Sequence, residues 1–510
     1  MASDAVGQER ISRVVGYKIK KGNFQTSGPN LPQRVLMFVE ANDANQATLT
    51  TAGFPKKEVT TLRQVGDTYG YGSPAYQGAR ILLPIYGDGL GGIPLVVIPV
   101  AAAVGAVAKV LTITITGNAT SGGTHFIKIC GRTAIDGSTF AVNISSGDTP
   151  TIIAQKYADA INAVLGAIVI ATNALGVVTL TAKWKGLTSN AITATVDTGD
   201  STLGVTYAYA APTAGAGTPD LAASLAKVGE EWYTFVLNSF GTVSSIMDSL
   251  EQFNGIPLDQ NPTGRYAATT WKPFVAVTGT TADDPSSISD ARPANDTIAF
   301  APAPLSLNLP VEIAASYILL AAVRAQNTPH LDIGGLSLPD ITIPSDSNIG
   351  SMAIYTNRDA IAKKGCSTVS LASGAYQVQD FITTYHPAGE NPPQYRYVRN
   401  LQLDFNVRFS YLVKEAEIVV DKAIVGDLDT VAVSGFVSPK QWKQGVRALI
   451  KDLISRALVT DADFSNSSIV VNISTSNPDR FETFFRYKRT GVARISSTTA
   501  EAGFNFGTIN

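Results

Sequence analysis

Any Ser-His-Asp nucleophile in this chain would have to use one of three histidines, His125, His330 or His386. His125 falls in a predicted strand, His330 in a Pro/Gly loop, and His386 immediately before Pro387. No serine occupies a Gly-x-Ser-x-Gly elbow, since Gly335-Leu336-Ser337-Leu338-Pro339 fails at its last residue. The glycine-rich loop Gly87–Gly92 follows a predicted strand but lacks the Lys-Ser/Thr of a phosphate loop. Ile93-Pro94 also prevents a helix N-terminus from forming there. Asp283 and Asp284 stand beside Pro285 and Ser286, which fits a turn or helix cap better than a metal site needing several convergent oxygens. Cys130 and Cys366 are far apart with no C-x-x-C pattern, so buried reduced thiols are expected rather than a disulfide or zinc site. These residues predict no enzyme, no cofactor and no metal.

What remains is chemistry of contact. Lys440, Lys443, Arg447 and Lys451 recur at helical spacing and share one face, opposite a stripe containing Trp442. By itself such a run reads as a solvated face. Near the ends, Val15, Tyr17 and Ile19 alternate as one side of a strand, and Val492, Arg494 and Ile495 belong to a predicted strand over 492–496. Such strands ordinarily pair within their own subunit. Flanked by Gly, Ser and Thr, they could instead be offered to a neighbour's open sheet edge.

The elements that must carry these residues exceed one core. A chain of 510 residues is expected to hold about three or four domains. Apolar residues make up 45% and charged residues 16%, a low charge content that predicts surface buried against partners. The net charge of -2 provides no field for gathering nucleic acid or acidic lipid. The polar start Met1–Arg10 is not a secretory signal, and the apolar run from Ile93 to Ala108 is too short and Pro-broken to span a membrane.

In chain order, 1–21 is expected to be an arm strand. Residues 22–104 with 218–390 read as an α/β body, with core strands at 36–40, 82–86, 94–100, 232–237 and 298–301 and a strand pair over 266–278. Ser73-Pro74 opens a helix, and the nearly all-apolar 311–325 is a buried one. Residues 105–217 are rich in Thr, Ala, Gly and Val. They predict an inserted outer domain of six strands and one helix, capped by Asp148 and striped by Ile153, Tyr157, Ile161 and Val164, with 211–219 as linker. Residues 391–510 form a C-terminal unit with a helix through Leu401, Phe405 and Phe409, a second from Ser438-Pro439, and closing strands. Between body and C-terminal unit, Phe381–Tyr385 predicts a last strand, broken by Pro387, Gly389, Pro392 and Pro393 into a joint.

That joint carries a family likeness. Ile382-Thr383-Thr384-Tyr385, the turn at Gly389, then Tyr395-Arg396-Tyr397-Val398-Arg399 resemble the contractile tail sheath proteins of Mu-like bacteriophages. So do Tyr69-Gly70-Tyr71-Gly72-Ser73-Pro74, the Ile115–Thr120 start of the insertion and its Leu180–Ile192 end. Asp340 departs from the pattern, which has Gly there.

The resemblance implies an open α/β body with a subtilisin-like layer, an inserted β-rich α+β domain and an α+β C-terminal assembly domain. It further implies a non-enzymatic structural subunit that polymerises with itself as stacked hexameric rings around a tail tube protein and meets baseplate and tail terminator proteins. Such a sheath is assembled in the host cytoplasm and found in the virion, with no nucleic acid bound and no direct membrane insertion. The terminal arms would link subunits, and the basic face from Lys440 to Lys451 would meet the tube. A phage-derived bacteriocin or other contractile injection system has the same sheath. A hydrolase on the α/β body is the distant alternative.

Overall fold

Val35–Val39 (β1) reads Val-Leu-Met-Phe-Val and is buried along its whole length, the composition of a strand covered on both faces. In the computed structural model, which describes residues 28–257, 261–500 and 502, β1 lies at the centre of a six-stranded sheet. The others are Lys57–Val59 (β2), Leu95–Pro99 (β3), Phe235–Asn238 (β4), Val275–Thr280 (β5) and Ile298–Pro302 (β6), in the order β6-β5-β4-β1-β3-β2. All pairs are parallel except β2 with β3 at one edge. From β1 the chain first builds towards β2 and β3, then returns to the other side for β4 to β6. The strand order therefore reverses at β1.

Two helices secure this sheet. Ser73 caps Pro74–Leu82 (α1), its Oγ accepting from the Tyr76 amide at 3.1 Å with proline at the first turn, as the Ser-Pro pair predicts. Helix Pro310–Asn327 packs against α1, β4 and β5 and is buried on most sides, in keeping with its apolar sequence. Gly279 of β5 permits that approach, because a Cβ there would stand 1.8 Å from the Pro310 carbonyl oxygen.

Between β3 and β4 the chain builds the inserted segment. One antiparallel sheet orders Thr206–Thr213, Val110–Thr116, Val177–Ala182 and Val169–Ala174; another orders Ala194–Asp197, Gly123–Ile129 and Ala141–Ile144. Helix Pro150–Asn162 buries Ile153, Tyr157 and Ile161. Its cap is Thr149; Asp148 instead accepts from the Ser145 amide and the Lys156 ammonium.

By contact the described chain forms two compact units: Asn30–Phe409 with the residues from Arg489 on, and Ser410–Lys488 with Gly28 and Pro29. The boundary falls inside the helix Val398–Ile418. In the smaller unit, helix Pro439–Ser455 starts from a Ser438/Gln441 capping box and buries Trp442, Val446, Leu449, Ile450 and Leu453. Its apolar face meets the hairpin Val470–Ile473/Phe481–Phe484, where Trp442 Nε1 donates to Thr483 Oγ1 at 3.0 Å.

Several expected elements differ. Residues 82–86 are the end of α1 and an exposed loop, with Tyr86 89% accessible, because Pro84 stops both helix and ladder. The expected pair over 266–278 is a 3₁₀ turn at Gly264–Tyr266 followed by the single strand β5. Thr206–Thr213 is a strand reaching into the expected linker. Phe381–Tyr385 is not a regular strand. It forms isolated antiparallel bridges, Thr383 with Ala299 of β6 and Ile382 with Tyr397. Asp340 adopts φ +59°, the left-handed region that glycine occupies at no steric cost, so the departure in residue type keeps the backbone turn.

Candidate functional site

None of the three histidines is held by a serine hydroxyl among the described residues. His125 is fully buried in the insertion, its Nδ1 2.6 Å from the Tyr207 hydroxyl and its Nε2 2.9 Å from the Ser201 carbonyl oxygen. Tyr157 donates to Tyr207 at 3.0 Å, which completes a closed core network. His330 receives Arg399 Nε at its backbone carbonyl. His386 bridges the Thr384 carbonyl, at 2.6 Å, and Asp290, at 3.1 Å. Asp283 accepts from the amide and hydroxyl of Ser351, and Asp284 from the Ser286 amide, so both acids fix turns. Gly87–Gly92 is a loop leading into β3.

Of the residues read as contact chemistry, Val15, Tyr17 and Ile19 lie outside the described residues. Lys440, Arg447 and Lys451 are exposed and Lys443 half-buried on Pro439–Ser455, on the side away from the Trp442 stripe. Val492, Arg494 and Ile495 are in no strand among the described residues. Instead Val492 and Arg494 turn inward while Ala493 and Ile495 turn out, Ile495 being 89% exposed.

That segment is gripped by side chains of the joint together with Asp332 and Asp404. Arg489 pairs through two nitrogens with both Asp404 oxygens and stands over the Tyr395 ring. Arg399 donates to the carbonyl and hydroxyl oxygens of Thr490. Arg494 pairs with Asp332, lies 3.6 Å from Asp380 and stacks 3.9 Å from the Tyr397 ring centroid. Burial draws the Arg494 and Arg399 guanidinium groups down to about 10.

No family model matches the chain. Among curated proteins it is similar to the Mu-like prophage FluMu tail sheath protein of Haemophilus influenzae, with 24% identity over 387 residues, 72% of this chain and 74% of that protein. The chain is thus a relative of a Mu-like tail sheath protein. Among solved structures, the sheath tail protein of Desulfitobacterium hafniense aligns with TM-score 0.44 and 11% identity, covering 94% of this chain and 100% of that one. The sheath tail protein of Listeria innocua aligns with TM-score 0.44 and 10% identity, covering 92% and 93%.

In this tail sheath relative, sequence reasoning missed two buried polar anchors between insertion and body. Glu312, fully buried near the start of helix Pro310–Asn327, accepts from Arg132 of the insertion, from Arg80 of α1 at 3.0 Å, from Asn308 at 3.2 Å and from the Leu309 amide at 2.9 Å. Burial pushes its carboxyl up, but Arg132 and Arg80 outweigh that and hold it below the usual range.

The second anchor is Glu40, directly after β1. It accepts from the Thr188 hydroxyl, which in turn accepts from Trp184 Nε1 at 2.9 Å. Burial pushes the Glu40 carboxyl up to about 7 against the lowering effect of Thr188. Glu40 and Ser239 lie at the carboxyl ends of β1 and β4, where the strand order reverses and open α/β proteins ordinarily bind ligands. Here Trp184 and Thr188 of the insertion, together with Ser239, line a cavity of about 190 Å³. No local signal announces either anchor, because their partners are far apart in sequence.

Proposed function

We propose that the protein is the structural subunit of a contractile phage tail sheath. One observation carries this reading: the 24% identity to a Mu-like tail sheath protein, sustained over 387 residues and across most of both chains. Subunits stack as hexameric rings around a tail tube protein, between baseplate and tail terminator proteins, after assembly in the host cytoplasm. The six-stranded body, with the subtilisin-like layering its resemblance implies, forms the outer bulk. Contraction is a rigid-body rearrangement into a shorter, wider lattice that drives the tube through the host envelope. The extended form is held by a kinetic barrier rather than by lowest free energy. No catalytic group, cofactor or nucleotide is needed.

Subunits are linked by strands from the two chain ends, carrying Val15, Tyr17 and Ile19 at one end and Val492, Arg494 and Ile495 at the other. The hairpin Val470–Ile473/Phe481–Phe484 is a two-stranded sheet and suits such addition. Its outward face carries Val470 and Phe484, 47% and 54% exposed and directly paired. The basic face of Lys440, Lys443, Arg447 and Lys451 meets the tube.

Negative-stain microscopy of the protein co-expressed with its tube tests the reading, with striated hollow cylinders expected. Uniform monomers under those conditions would overturn it. Deletion of residues 1–21 should abolish long cylinders; if they persist, the N-terminal linkage is wrong while the sheath assignment stands.

A further inference from the structure

Arg489 ends the short strand Lys488–Arg489, and from Thr490 to Arg494 the chain belongs to no strand and is gripped by ionic and ring contacts. Among residues 489–494 Val492 is the sole aliphatic side chain larger than alanine, and it is half-buried. The contacts converge instead on the two arginines. Arg489 meets a carboxylate in the two-point geometry that suits a guanidinium, and Tyr395 lies under its planar group. Arg494, with 18% of its side chain exposed, meets Asp332 at 7% exposure and stacks on Tyr397. Arg399 holds the backbone between them at Thr490. Two acid-and-ring pockets thus stand five residues apart along an extended chain, with a backbone clamp between.

We propose that the joint carries a recognition site for an extended Arg-x-x-x-x-Arg segment, and that the chain's own residues 489–494 fill it in the free subunit as a strap. The site reads two guanidinium groups at fixed separation, and a lysine at either position loses the paired geometry. Because ion pairs and rings supply the hold, the strap loosens when the carboxylates of Asp332 and Asp404 are neutralised. If the terminal segment also links neighbours, a consequence resting on the function proposed above, the strap competes with that linkage and keeps the segment withheld until a subunit joins the lattice.

The test uses the full chain. A fluorescent peptide of residues 489–498 is titrated against the unaltered protein and against R489Q/R494Q, in which the internal segment no longer fills the site. The peptide should bind the double variant at least about tenfold more tightly than the unaltered protein. The same peptide with glutamine for both arginines should not bind, and adding D332N/D404N to the double variant should abolish binding. Equal binding to both proteins, or equal binding of the glutamine peptide, would overturn the proposal.

Should the double variant fail to fold, Ser497→Cys in the otherwise unaltered chain takes a single spin label, since Cys130 and Cys366 are fully buried. The label should be restrained in that chain and mobile once D332N/D404N is added to it. A label equally mobile, or equally restrained, in both chains overturns the strap. Both measurements read the dissolved subunit, so their failure is distinct from failure to form cylinders.

Discussion

Arg132 and Glu312, 180 residues apart, meet inside the protein, the guanidinium of one closing on the carboxylate of the other. Arg80 reaches the same oxygen, so one fully buried anion is shared by two largely buried cations. A buried group of this kind contributes little net stability when intact but is costly to break, because the remaining charges stay desolvated.

Glu312→Gln should therefore lower stability by about 3–5 kcal/mol, read as an earlier urea or thermal transition. The carboxyl lies below its ordinary value when folded, so its contribution is present above the unfolded value of 4.5 and lost as pH falls through the folded one. A change under about 1 kcal/mol would show that Arg80 and Arg132 find other partners.

Glu40 predicts the opposite slope. Its carboxyl rises from 4.5 to about 7 on burial, so the folded state holds the proton more tightly. That contribution is fully present below pH 4.5 and is lost as pH rises through 7, a swing of ~3 kcal/mol. Asp296, raised by burial from 3.8 to about 7 and bonded to the Tyr266 hydroxyl, adds a slope of the same sign. Glu40→Gln should be more stable than the parent at pH 8 and flatten, without abolishing, the decline between pH 5 and 8. Parallel pH–stability curves for variant and parent would refute the assignment.

Trp442 is the largest side chain of the small cluster formed with Val437, Val446, Ile450, Ile469 and Val471. Trp442→Ala should cost about 3–5 kcal/mol and expose 438–485 to hydrogen exchange. Amides of β1 and β4 should stay protected, as befits a separate compact unit. Simultaneous loss in both regions would mean that they unfold as one.

Under the proposed function, Arg447→Glu with Lys451→Glu should leave the dissolved subunit folded, since both side chains are exposed. Decoration of purified tubes should fall at least about tenfold at moderate salt. Undiminished decoration would remove the basic face from the tube contact.

How much of this was legible depended on whether the signal was local. β1 and helix Pro310–Asn327 could be read because continuous burial leaves continuous apolar sequence. Pro439–Ser455 showed its Ser-Pro start and its Trp442 stripe because one buried face recurs at helical spacing. Thr206–Thr213 could not, since Thr-Tyr-Ala-Tyr-Ala-Ala-Pro-Thr is largely exposed at a sheet edge and owes its form to pairing with Val110–Thr116. Its Pro212 sits where the register shifts between Ala210 and Thr213, a position an edge strand tolerates. Helix Asp43–Thr51 was equally hidden, because Leu49 is its one buried residue and no stripe results. The basic face was visible as spacing; the anchors at Glu312 and Glu40 were not, as no periodicity links residues 148 or 180 positions apart.

The inserted segment leaves and rejoins the body at neighbouring points, with Val107 bridged to Ala216. Such a narrow neck makes it look like a cassette, exchangeable between related chains without disturbing the host sheet. Arg132 and Thr188 contradict that. A foreign cassette of the right length would strand Glu312 with a single arginine and leave Glu40 without its hydroxyl. Successful grafts must therefore import an arginine and a hydroxyl at matching places, and the body constrains what may be displayed on it.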